Sequence, residues 1–207
     1  MLSELATQLN AFTETSKQYL PSMLVFIGGL WVFNLINWSL GSPFNILGLR
    51  PRRLFGLVGI IFSPILHANF THLIFNTFPL LCLGIFVMTL GLAQFYWATG
   101  IIMLLSGLAV WLIGRRGNHI GASGLIAGYF GYVLFSAYLQ PTFTTFFCAG
   151  VALYYFGGIL FSLVPTDAET SWEGHLSGFL SGLLANYLCT NADYLFQFVQ
   201  SYSKYFR

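Results

Sequence analysis

Charge is missing from four long stretches of this chain: residues 18–49, 54–114, 117–166 and 174–192 contain no Asp, Glu, Lys or Arg. Crossing a bilayer takes about 20 largely apolar residues in a helix, and lipid-embedded backbone is satisfied only in helices or closed barrels. Apolar runs of this length predict an all-α, polytopic membrane protein. The composition agrees, with 57% hydrophobic and 7% charged residues, against roughly a quarter charged in soluble domains. A net charge of +2 without a clustered basic face excludes nucleic acid as a partner. The first partner is the lipid bilayer.

The runs divide into six spans, expected near residues 22–40, 70–90, 93–114, 123–139, 143–164 and 175–188. Gly41-Ser42-Pro43 ends the first, and Gln140-Pro141 separates the fourth from the fifth, because proline disfavours helix at the residue before it. The segment Gly56 to Pro64 is apolar but too punctuated for a clean helix. Residues 1–21 are expected to be a tail or an interfacial segment with Leu2, Leu5, Leu9 and Phe12 at helical spacing, and 191–207 a second tail. No basic stretch precedes a short apolar core at the start, so a cleavable signal peptide is not expected. Cys82, Cys148 and Cys189 lack metal-ligand or disulfide spacing and read as reduced, packed residues; no cofactor and no metal is expected.

Polar side chains inside spans are costly and tend to mark function. Four stand out: His72, Asn76, Ser123 and His175. Spans alternate in direction, so the second, fourth and sixth begin on one side of the membrane, and all four residues lie near those beginnings. His72 and Asn76, four apart, share one helix face. Ser123, in Gly121-Ala122-Ser123-Gly124, sits at a loop-to-helix transition whose backbone N–H groups lack intrahelical partners, as an oxyanion site requires. Gly124 with Gly128, and Gly178 with Gly182, form G-x-x-x-G pairs in the spans carrying Ser123 and His175. Small residues at that interval let two backbones approach closely, which a serine needs to come within about 3 Å of its base. Taken singly these features have plain readings as helix packing and back-bonded serine; their combination points to chemistry. His67 is expected to brace the irregular loop before the second span and His119 to be an interfacial or loop-fixing residue. Asn34 and Asn37 are expected to hydrogen-bond between helices.

These residues resemble the rhomboid family of intramembrane serine proteases. The matching segments are His72-Leu73-Ile74-Phe75-Asn76, Gly121-Ala122-Ser123-Gly124 and Gly174-His175-Leu176-Ser177-Gly178 followed by Gly182, in the family order, with the flanks from His67 to His72 and Ser171-Trp172-Glu173-Gly174 also similar to bacterial members. The resemblance covers about residues 22–190 and implies a six-transmembrane-helix rhomboid-like bundle in a bacterial inner membrane. It implies a serine endopeptidase in which Ser123 is the nucleophile, His175 the general base, and His72, Asn76 and the Ser123 N–H the oxyanion donors. Transmembrane proteins would be its substrates. Many relatives carry Tyr or Phe one turn after the serine; here that position is Ala127, so Tyr129 or Phe130 is a candidate to orient the histidine. Arg50-Pro51-Arg52-Arg53 stands where some members have a Trp-Arg pair.

The resemblance also implies a cytoplasmic amino terminus and a site opening outward. Charge bias alone points the other way, since Arg50, Arg52, Arg53, Arg115 and Arg116 then face Lys17, Lys204 and Arg207. Other intramembrane proteases do not fit: H-E-x-x-H is absent, and Asp167 and Asp193 lie outside the spans. The alternative from another class is a non-catalytic rhomboid-like factor that binds or escorts membrane proteins. The irregular Gly56–Pro64 segment and the acidic loop 165–174 are candidates for a lateral wall and a cap.

Overall fold

The first helix buries Met23, Ile27, Leu30, Asn34 and Asn37 on one stripe and leaves Val25, Val32, Leu35 and Ile36 exposed, the one-sided pattern of a helix at the rim of a bundle in lipid. The structure, a computed structural model, describes residues 2–165 and 171–192. The expected cap residues 166–170 and the carboxy-terminal tail 193–207 lie outside the described residues.

Helix α1 runs Leu2–Ser39 without a break at Pro21. Residues 2–20 are therefore helical and continuous with the first span. Phe12 explains the continuity, because its ring packs against Phe86 at 6.0 Å and Phe147 at 5.5 Å, tying this part of α1 to two other helices. After α1 the chain folds through 3-10 turns at Pro43–Leu47, Leu54–Val58 and Ser63–Ile65, with one short helix, α2, at Gly59–Phe62. The broken character expected for Gly56 to Pro64 is thus present.

Then follow α3 (Phe70–Leu90), α4 (Leu92–Ile113), α5 (Ser123–Leu139), α6 (Phe143–Phe156) and α7 (Trp172–Thr190). Thr142 and Thr145 form a capping box that starts α6 where Pro141 had ended α5. Helix α6 is expected to run to 164, but it tightens into a 3-10 segment, Gly157–Leu163, where Gly157-Gly158 removes the side chains that favour an α-turn. Among the described residues there is no strand, only an isolated bridge between Leu49 and His119. The protein is an all-α polytopic membrane bundle.

Helix α5 occupies the centre, packing most extensively against α7 and also against α3, α4 and α6. Its Ile126, Tyr129, Phe130, Tyr132 and Val133 are buried on every side, together with Leu73, Leu83, Val87, Ile102 and Cys148 of the neighbours. Among the described residues four helical segments are long and apolar enough to cross a membrane: Ser3–Ser39, Phe70–Leu90, Leu92–Ile113 and Phe143–Leu163. Besides the four-residue α2, the helices outside this set are α5 and α7. Helix α5 has 17 residues, a length of about 26 Å against a hydrocarbon core of about 30 Å, and α7 is interrupted by Glu173, His175, Ser177, Ser181 and Asn186. These two carry Ser123 and His175.

Candidate active site

Asn69 starts α3 in extended conformation, and its side-chain oxygen accepts from the His72 N–H at 2.9 Å, so the first turn is held firmly where His72 projects. One turn on, Asn76 donates from Nδ2 to the His72 carbonyl at 2.9 Å. Both side chains lie against Gly121. A Cβ there would fall 2.5 Å from His72 Nε2 and 3.8 Å from Asn76 Nδ2, and the backbone has φ +121°, so glycine is required on both counts. The Gly121 N–H is fixed by the Ser63 carbonyl at 2.9 Å. Two residues later Ser123 opens α5, with Ala122 at the cap position and its carbonyl accepting from Ile126 at 2.9 Å.

The second half of the site comes from the crossing of α5 and α7. A Cβ added at Gly178 would overlap the Gly124 carbonyl oxygen, and one at Gly182 would overlap the Gly128 carbonyl oxygen. Gly124 would meet the Gly174 carbonyl at 3.3 Å, and Gly128 the Gly178 carbonyl at 3.1 Å. The G-x-x-x-G pairs of the two helices therefore face each other, backbone on backbone. Asn186 extends the contact by donating to the Tyr132 carbonyl at 3.2 Å.

His72, Asn76, Ser123 and His175 line one cavity of about 680 Å³. Asn76 is buried and the other three are half-buried. The cavity also collects Asn69, Ser106, Arg115, Asn118, His119 and Ser171, an unusual share of polar side chains for so apolar a chain. The residues from Ile60 to Asn69 contribute one wall.

That wall is braced by residues whose sequence reading needs revision in part. Asn34 and Asn37 bond to the segment between α1 and α3 rather than to another helix. Asn34 donates to the Ile65 carbonyl at 2.9 Å and accepts from the His67 N–H at 2.9 Å, while Asn37 donates to the Asn45 side chain at 2.9 Å and accepts from the Phe44 N–H at 3.1 Å. Trp38 Nε1 adds a bond to the His67 carbonyl at 2.9 Å. His67 is fully buried, donates from Nδ1 to the Ile65 carbonyl and meets the His72 ring edge-on at 5.1 Å. Burial, with His72 beside it, lowers its pKa to about 4. His67 braces the loop as a neutral imidazole.

Ala127 is buried. Of the two aromatic candidates, Tyr129 has its hydroxyl 2.7 Å from Thr99 Oγ1 of α4, and Phe130 packs against Phe179. Neither of them lines the cavity. The residues that sequence reasoning passed over at this site are Ser171 and Arg115, the latter paired with Glu173 beside the cavity. The signal for the pair was available as two opposite charges bordering charge-free runs, Arg115 after α4 and Glu173 at the start of α7.

The described residues contain no group of three or more His, Cys, Asp or Glu that could hold a metal ion. A family model described as the Rhomboid domain matches residues 55–192. Uncharacterized proteins of Mycobacterium tuberculosis (strain H37Rv) and Mycobacterium bovis are each 44% identical over 177 residues, covering 81% of this chain and 73% of theirs. One of Mycobacterium leprae is 36% identical over 177 residues, covering 81% of this chain and 70% of its own. With these matches over a bundle of this architecture, the chain belongs to the rhomboid family.

Proposed function

We propose that the protein is a serine endopeptidase that hydrolyses peptide bonds in or near transmembrane segments of other membrane proteins. The observation that carries this reading is the common cavity of Ser123, His175, His72 and Asn76, four residues from three different helices. Ser123 Oγ attacks the scissile carbonyl carbon while His175 takes its proton. The carbonyl oxygen, now an oxyanion, accepts from His72, from Asn76 Nδ2 and from the Ser123 N–H at the exposed start of α5. When the tetrahedral intermediate collapses, His175 returns the proton to the leaving amine, leaving an acyl group on Ser123. Water, activated by the same histidine, then hydrolyses the ester. The polar lining supports this second step, because a purely apolar pocket stays dry.

The catalytic unit in this reading is residues 22–190, with His72, Asn76, Ser123 and His175 at its outward-facing end, in a bacterial inner membrane with the amino terminus in the cytoplasm. Labelling by an activity-based fluorophosphonate tests it. The parent is expected to label, and Ser123→Ala and His175→Ala to lose labelling. Labelling that survives Ser123→Ala excludes the nucleophile, and a folded parent that neither labels nor cleaves a reporter transmembrane segment supports an escort factor instead.

A further inference from the structure

A hydrogen bond from His119 to Ser171 and an ion pair from Arg115 to Glu173, both outside the four-residue constellation, join the chain just before Ser123 to the chain just before His175. His119 Nε2 lies 2.9 Å from the Arg115 carbonyl oxygen, and His119 Nδ1 lies 2.9 Å from Ser171 Oγ. A carbonyl only accepts, so Nε2 carries the hydrogen, and in the neutral ring Nδ1 accepts from the Ser171 hydroxyl. The His119 backbone is anchored separately, its N–H donating to the Leu49 carbonyl at 2.8 Å and its carbonyl accepting from the Leu49 N–H at 3.0 Å. Beside it, Arg115 Nε and the Arg115 backbone N–H both reach Glu173 Oε1, at 2.9 and 3.2 Å. Glu173 is 3% exposed, in the first turn of α7.

The positions of these partners matter more than their number. His119 lies four residues before Ser123. Ser171 lies four residues before His175, and its carbonyl accepts from the His175 N–H at 3.1 Å, so Ser171 and His175 move together. The glycine faces of α5 and α7 set how closely the helices approach, but a surface without side chains resists sliding and rotation weakly. A tie at the ends of the helices supplies that resistance.

We propose that His119 is a positioning residue: through Ser171, with Arg115–Glu173 as a second tie, it fixes the register of α7 against the loop leading to Ser123. This rests on the protease reading above. Misplacing reacting groups by about 1 Å costs on the order of 100-fold in rate, so the clasp acts on kcat rather than on substrate affinity.

The test uses the full chain in proteoliposomes, a reporter transmembrane substrate and the variants Ser171→Ala, His119→Ala, their double and His119→Gln. The expected result is a fall in kcat of about 10-fold or more for either alanine variant at little-changed KM. The double variant should be no slower than His119→Ala, which already removes the bond that Ser171→Ala removes. His119→Gln, whose amide both donates and accepts, should recover most of the rate. Rates for Ser171→Ala within about two-fold of the parent, or independent losses that multiply in the double variant, overturn the clasp. If His119→Ala does not fold, Ser171→Ala and His119→Gln decide alone: an unchanged kcat in Ser171→Ala or no activity in a folded His119→Gln counts against it. A parent inactive in both cleavage and labelling overturns the protease reading and the clasp together, whereas an active parent with an unaffected Ser171→Ala overturns the clasp only.

Discussion

Asn76 spends one of its two amide hydrogens on the His72 carbonyl, and the second remains for a developing oxyanion. In the proposed mechanism Asn76 donates in the transition state, so Asn76→Ala is expected to lower kcat by about 100-fold or more with KM little changed, as read by reporter cleavage in proteoliposomes. His67 gives a prediction of the other kind. Its folded pKa of about 4 lies below the ordinary histidine value of 6.5, so the unfolded chain binds a proton that the folded chain rejects between those limits. Its contribution to stability is fully present above pH 6.5 and is lost as pH falls toward 4, an effect of a few kcal/mol at most. Thermal unfolding in detergent should therefore show a midpoint that drops over this window, and His67→Asn should flatten the drop. The four candidate site residues were legible because an intramembrane polar side chain has few inexpensive explanations. The distant partners of His67 were not, since Asn34 and Trp38 are brought to it only by the fold.

The α5–α7 crossing is a contact of two backbones, with Gly178 on the Gly124 carbonyl and Gly182 on the Gly128 carbonyl. Even one methyl group must push the helices apart. Gly182→Ala is expected to cost about 1–3 kcal/mol of stability, the usual range for overpacking, and to depress cleavage more than it depresses folding because the same crossing carries Ser123 and His175. Unfolding in detergent compared with kcat checks both. The spacing in G-x-x-x-G made this pairing readable in advance. The course of α1 was less readable: Phe12 joins it to Phe86 and Phe147, a long-range contact that local pattern does not contain. Asn34 and Asn37 likewise serve the segment after α1, because its 3-10 turns expose carbonyls and N–H groups that need partners inside an apolar bundle.

Across the whole molecule, the two long helices outside the set of apolar spans, α5 and α7, are the ones that hold the candidate nucleophile and base, and the polar side chains that line the cavity gather at one end of them. A substrate helix reaching such a site must expose a backbone carbonyl that its own hydrogen bonds cover. Reporter segments with Gly or Pro near the cleavage point are expected to be cut at least about 10-fold faster than the same segments with Leu there, reflecting the roughly 1 and 3 kcal/mol lower helix propensity of Gly and Pro. Equal rates would remove local unwinding from the mechanism. The arginines on the site's side of the bundle have structural employment as well: Arg52 caps α4 by donating to the Leu112 and Gly114 carbonyls, and Arg115 pairs with Glu173. Two of the five charges that set the bias against the family orientation thus also complete the fold.

The sequence by itself determined the all-α membrane class, the approximate spans and the identity of the polar residues that lipid cannot explain, because the bilayer imposes its length and polarity on every helix independently of its neighbours. Only the tertiary structure decided that α1 runs unbroken through Pro21, that Asn34 and Asn37 brace a loop, that Tyr129 meets Thr99, and that His119 meets Ser171. Each of these is a contact between residues distant in the chain, or follows from one, and its geometry is set by how whole helices pack, which no local pattern of polar and apolar residues encodes.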